Sequence, residues 1–323
     1  MKDLFIPFSI QPNALSAYEQ ELGTLPVSKR RSSIRKLERD LARNGFLVRD
    51  GADLLREEWE RLSILKEHAV GLGDALTGIE DSPMPHCKSL NSNDAFADPV
   101  SFTESTLSRE SRQFPLSRWT ESPLLQESRE SIEWHDGEKK EGIASLFDLL
   151  WRISGSTSCV IDSYTLGLGY DHERQGKATR DLIRQAARHS TLKKLSFIVK
   201  PQGEPEDCLE RIKEFLTAAA SSDRPSPVTL GNLSLEIVIT RTRIHGRYLQ
   251  GPRATIRLDH GIGMLNDRRC AWGSHLCKLD PYDWSTFNNK VEQIMKDAEI
   301  WSVVALAPDT LTLRRRQRAK SSP

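Results

Sequence analysis

The sequence predicts an α/β fold with a helical N-terminal region, an irregular middle segment and a C-terminal mixed sheet flanked by helices. Three observations carry this. Residues 13–79 keep apolar side chains at helical spacing, and residues 81–140 sustain no period. From residue 142 onward, short β-rich apolar runs alternate with amphipathic helical stretches. The corresponding expected regions are 1–79, 80–140, 141–308, and a basic tail at 309–323.

Within the first region, Ser28 is suited to cap a helix in which Ile34, Leu37 and Leu41 recur at helical spacing, and Asn44-Gly45 ends it. From Lys29 to Arg43 this helix holds seven lysines and arginines against two acids, so its outer face is basic. A second helix near 52–69 carries Leu54, Leu55, Trp59, Leu62 and Leu65 on one stripe. Two readings fit the pair: a small DNA-binding module of helix-turn-helix type, or a helical adaptor that docks on a partner subunit. The middle segment is rich in Ser and Pro, with Phe96, Phe102, Phe114 and Trp119 as anchors. It reads as a linker or a wrap-around strap that orders on a partner.

The third region opens with a helix over 142–153 and a strand, CVIDSYTLG, with Asp162 near its end. Helix, strand, helix and strand follow over 177–189, 193–200, 205–220 and 233–240, and a last helix spans 287–301. Gly167-Leu168-Gly169 lacks the third glycine of a dinucleotide loop and reads as a turn. Between Thr240 and Gly261 lies TRTRIHGRYLQGPRATIRLDHG, with five arginines and two histidines, His245 among the arginines and His260 at its end. At a two-residue period Arg241, Arg243, His245 and Arg247 share one strand face. Beyond the turn Gln250-Gly251-Pro252, Arg253, Thr255, Arg257 and Asp259 do the same. A hairpin with a basic face suits phosphate; the alternative is an ordinary solvated strand face.

Lys plus Arg total 46 against 45 for Asp plus Glu, so any nucleic-acid contact must rest on local patches rather than on net charge. The five cysteines form no paired spacing, which points to a reducing compartment, and Cys270-x4-His275-x-Cys277 is half a metal site without a second pair, so no metal or other cofactor is expected. No leader or membrane-length apolar window is evident. The expectation is a soluble, cytoplasmic protein without a membrane partner.

The order of elements, with Ile161-Asp162-Ser163-Tyr164 ending a strand, Ile244-His245-Gly246-Arg247, and Asp259-His260-Gly261-Ile262-Gly263, resembles the phospholipase D-like fold. It is most similar to the single-copy domain found at the C-terminus of MIT-domain proteins and in related prokaryotic proteins. The resemblance covers about 146–304. It implies that His245 takes the nucleophile's position and Arg247 the place of the cationic lysine, in a reaction where histidine attacks phosphorus and cations neutralise the phosphoryl oxygens. Pro252 stands where the motif has aspartate, and there is one element rather than two, so an active site would need a homodimer. Asp162 or Asp259 would orient the histidine from a neighbouring strand. Separately, Tyr170-Asp171-His172-Glu173-Arg174 clusters titratable groups in a loop after the first strand; two readings fit it, His172 and Glu173 assisting His245 as acid or base, or a solvated polar loop.

The leading expectation is a phosphodiester-binding scaffold subunit with a degenerate phospholipase D-like domain. It would contact DNA through Arg241, Arg243, Arg247, Arg253 and Arg257, with protein partners on the N-terminal helices and linker, inside a multi-subunit complex of a phage-defence or mobile-element kind. A metal-independent homodimeric nuclease working through His245, and a pure assembly subunit, are the alternatives.

Overall fold

The structure is a computed structural model. It describes residues 4–49, 52–79, 82–88, 100–104, 113–121, 131–134, 143–168, 172–201, 203–221, 227–242, 246–251, 253–259, 261–263, 274–278, 284–307 and 310–316. Two sheets organise these residues, so the α/β class holds. Among them no helix is long and apolar enough to cross a membrane.

The first sheet is parallel throughout, in the order β3-β2-β1-β4-β5. Its strands are β1 (Ile6–Ile10), β2 (Gly45–Val48), β3 (His86–Cys87), β4 (Val100–Phe102) and β5 (Gln113–Phe114). These strands correct the expectation of a purely helical N-terminal region and an irregular middle. They are short and buried, so they show neither alternation nor helical period. Helices α1 (Pro12–Thr24) and α2 (Val27–Asn44) cross from β1 to β2, and α3 (Ala52–Arg61), α4 (Ile64–His68) and α5 (Val70–Thr77) cross from β2 to β3.

This topology also removes the helix-turn-helix reading. A strand, not a turn, separates α2 from α3, and Gly45 ends α2 and begins β2 at once. A Cβ at Gly45 would lie 2.0 Å from the Ile6 carbonyl oxygen, so only glycine permits the approach of β2 to β1. Glu19 of α1 reaches across to cap α4, accepting the Ser63, Ile64 and Leu65 N–H groups at 2.8, 2.7 and 2.9 Å. Strand order reverses between β1 and β4, as in doubly wound sheets. The β1–α1 junction is Ile10-Gln11-Pro12-Asn13 and carries no glycine loop to cradle a phosphate.

The second sheet has nine strands in the order β14-β13-β9-β8-β7-β10-β11-β12-β6. A parallel unit lies at its centre: β7 (Thr157–Ile161), α7 (His172–Arg188), β8 (Lys194–Val199), α8 (Pro205–Ala220) and β9 (Ser234–Ile239). On one side, β10 (Tyr248–Gln250), β11 (Thr255–Leu258), β12 (Ser274–Lys278) and β6 (Ser131–Trp134) continue antiparallel. On the other, β13 (Glu299–Ala307) pairs antiparallel with β9 and with β14 (Thr310–Arg315).

Two further expectations are corrected here. The segment read as a basic tail begins as strand β14, because Thr310, Leu311, Thr312 and Leu313 alternate beside β13. The last helix, α9 (Trp284–Asp297), stops before Glu299, where the chain turns into β13.

Between the sheets lies α6 (Ile143–Ser154), touching β3 on one side and β7 on the other. One continuous core therefore joins Leu4, Phe5, Phe46 and Val48 to Phe147, Trp151, Val160 and Phe197. A second core lies between the first sheet and α1–α5, and a third, smaller one under α9 holds Ile161, Ile198 and Val238.

Candidate functional site

The parallel strands β7, β8 and β9 end together, and β10 starts beside the end of β7, with Tyr248 opposite Ile161. Ligands of open α/β sheets gather at such ends because strands stop there and loops converge. Asp162 follows β7 directly and is 3% exposed. Its Oδ1 accepts the Tyr164 N–H at 3.0 Å and its Oδ2 the Ile262 N–H at 3.3 Å, tying the β7 turn to the segment after β11. Burial holds its carboxyl above the usual carboxylate range, against the opposing pull of the Tyr164 N–H, the Arg247 guanidinium and the Ile262 N–H.

Arg247 sits just before β10, with Nε 3.9 Å from Asp162 Oδ1. Its Nη1 donates to the Asp259 carbonyl at 2.7 Å, and its guanidinium carbon lies 5.1 Å from the centre of the Tyr164 ring. Held by a carboxylate, a carbonyl and an aromatic face, the side chain keeps 33% of its surface exposed. Gly261 closes the site at φ +68; a Cβ there would stand 2.2 Å from Asp162 Oδ2 and 2.8 Å from Arg247 Cδ. Such an arrangement can offer an oriented guanidinium to an anion.

Asp162, Arg247 and Asp259 are thus brought together, Asp259 through its carbonyl. The other residues singled out in the sequence are distributed differently. Arg241 is exposed just past β9, outside any strand, so the first arm of the expected hairpin starts only at Tyr248. The hairpin turn itself forms, Gly251 N–H donating to the Ala254 carbonyl at 2.8 Å. Arg257 is exposed on β11, opposite Tyr248 and Cys277.

Arg253 is not a surface cation. It is 4% exposed at the far end of the hairpin, where Nη1 donates to the His86 and Ile153 carbonyls at 2.9 and 3.1 Å. A basic hairpin face shared by all five arginines therefore does not form, since Arg253 is buried and Arg241 lies outside any strand. Arg243 and His245, like Pro252, His260 and Cys270, lie outside the described residues. His172 and Glu173 open α7, and nothing further is described of their side chains.

Tyr164, Gly261 and the Ile262 N–H are site components that residue-type reasoning missed. The Asp-x-Tyr spacing and the Gly-x-Gly run were the available signals. Among the described residues no cluster of three or more His, Cys, Asp or Glu side chains is placed to hold a metal ion. Burial pushes the Cys159 thiol up to about 12 and the Cys208 thiol up to about 11, which keeps both protonated near neutrality.

No protein-family model matches this chain, and no curated protein does. Among solved structures it is similar to TrmBL2, an archaeal chromatin protein whose structure shows a novel mode of DNA binding. That likeness has a TM-score of 0.28 and 10% sequence identity, over 53% of this chain and 53% of that chain. The match spans about half of each protein, and at that level of superposition it carries no argument about this one.

Proposed function

We propose that the nine-stranded region is a phosphodiester-binding module of phospholipase D-like ancestry that contacts DNA and does not turn it over. The observation that carries this reading is Arg247: a guanidinium oriented by Asp162, Tyr164 and the Asp259 carbonyl, yet a third exposed, at the end of three parallel strands. Orienting an arginine in advance lowers the entropy lost when it meets a phosphate, and the planar fork matches two phosphoryl oxygens.

Binding and cleavage of labelled single- and double-stranded DNA, measured together in EDTA, test the reading. Arg247→Ala should weaken binding about tenfold or more, the size of one charge-assisted hydrogen bond, and His245→Ala should leave affinity near that of the parent. Cleavage by the parent that vanishes in His245→Ala would replace this reading with a homodimeric nuclease. Unchanged binding by Arg247→Ala would remove the sheet-end site from the interface.

A further inference from the structure

The face of the nine-stranded sheet that packs on α9 carries a polar row. Cys159, Ser196, Glu236, Ser302 and Arg314 are paired in turn across β7, β8, β9, β13 and β14, and residues paired directly across strands point to the same side. The neighbouring row on that face, Ile161, Ile198, Val238 and Ile300, is apolar and lies under α9. Central parallel strands buried on both faces ordinarily read as unbroken apolar runs. Past their first residues, β8 (KLSFIV) and β9 (SLEIVI) are each interrupted once, by Ser196 and Glu236, 7% and 6% exposed. Polar groups there cost stability unless something pairs with them.

The row ends in a cavity of about 600 Å³ whose lining includes Lys194, Glu236, Ser302, Arg314 and Arg316. Glu236 is engaged through both oxygens. Its Oε2 lies 2.7 Å from Lys194 Nζ and accepts the Ser196 hydroxyl at 3.4 Å, and its Oε1 lies 3.8 Å from Arg316 Nη1. The sixth lining residue, Arg315, is held by Glu299, Nη2 to Oε1 at 2.7 Å, with its guanidinium carbon 5.9 Å from the Trp301 ring centre. Arg314 stands opposite Ser302, two strands from Glu236, and is exposed. Among the described residues no hydrogen bond or ion pair engages its side chain. With the Arg315–Glu299 pair set aside, three cations face one carboxylate, an excess of two positive charges.

That excess matches a phosphate group, which carries about −1.5 to −2 near neutrality, and guanidinium forks with a serine hydroxyl are the donors it takes. The cavity has the size of a small-molecule site. No aromatic side chain among the described residues lines it, so nothing there stacks a base of single-stranded nucleic acid. We infer that this cavity binds a phosphate dianion, as the free ion or as the end of a small phosphomonoester, through Arg314, Arg316, Lys194 and the Ser302 hydroxyl. Glu236 keeps Lys194 and Arg316 in position before the anion arrives and opposes it once bound, while Arg314 supplies a guanidinium with no competing carboxylate. The cavity is separate from the sheet-end site, since Lys194 opens β8 whereas Asp162 follows the last residue of β7. The inference does not depend on the sheet-end reading.

The test is isothermal titration calorimetry of the full chain with inorganic phosphate and, separately, with glucose 6-phosphate. Arg314→Ala should weaken binding about tenfold, the loss of one charge-assisted hydrogen bond. Glu236→Gln should strengthen it about threefold or more, because the opposing carboxylate is gone, and a misfolded variant could not give that gain. Tighter binding of glucose 6-phosphate assigns the cavity to a phosphomonoester, and tighter binding of inorganic phosphate assigns it to the free ion; either keeps the inference. Parental affinity in both variants, or a parent that binds neither probe, overturns it. Loss in Arg247→Ala with parental affinity in Arg314→Ala moves the phosphate to the sheet end and also overturns it, leaving the sheet-end reading in place. Weaker binding of a DNA duplex by Arg314→Ala at unchanged phosphate affinity would make this face a nucleic-acid contact instead.

Discussion

Gly261 shows how strongly single residues are constrained at the sheet end. It combines a left-handed backbone with a position where a methyl group would strike both Asp162 and Arg247. Gly261→Ala should cost about 1–3 kcal/mol from the strained backbone alone, read as a shift of the urea midpoint at unchanged slope, and should weaken DNA binding with it. His86 offers a test by pH. Burial, then the guanidinium groups of Arg253 and Arg49, lower its imidazole to about 3, although its Nδ1–H donates to the Met84 carbonyl at 3.1 Å. The folded ring stays neutral where the unfolded ring, ordinarily near 6.5, takes a proton. The unfolded chain therefore binds more protons between pH 3 and 6.5, and stability falls as pH drops through that window. Between about pH 7.5 and about pH 5 this group should cost the parent about 2 kcal/mol, and His86→Asn should show a correspondingly flatter profile in urea titrations. His86 was not marked by its sequence context and Gly261 only as part of a Gly-x-Gly run, because a left-handed φ and a desolvated ring both come from packing.

Individual elements differ in how legible they were. The helices α2 and α8 and the strands β8 and β9 carry long enough apolar patterns to be read directly, because one face of each helix and both faces of each central strand are buried. Strands β1 to β5 were not legible. They have two to five residues each and rely on parallel neighbours distant in the chain. Strand β14 was obscured by its arginines, which suggest a tail until β13 is seen to supply the hydrogen-bonding partner. The hairpin was half legible: the turn after Gln250 is local chemistry, but the length of the first arm depends on β7, which pairs with β10 only from Tyr248 onward.

For the whole molecule, the decisive feature is that the two sheets share a core through α6, and Arg253 joins them by hydrogen-bonding β3 and α6 from the β10–β11 turn. Urea unfolding followed by near-UV and far-UV signals should be a single coincident transition in the parent. Arg253→Ala leaves two buried carbonyls without their donor and should cost about 1–3 kcal/mol per carbonyl, whereas the exposed Arg257→Ala should stay within about 0.5 kcal/mol. Equal effects of the two substitutions would remove Arg253 from this joining role.

Sequence alone determined the α/β class, the alternating elements of the C-terminal region, the basic face of α2 and the candidacy of Asp162 and Arg247, since periodicity and local charge are written in neighbouring residues. Tertiary structure decided that the N-terminal helices wrap a parallel sheet. It also decided that Arg253 is buried while Arg241 and Arg257 are exposed, and that Arg247 is gripped by Asp162, Tyr164 and Asp259. Those outcomes depend on strand pairing and desolvation between residues far apart in the chain, and no local pattern encodes them.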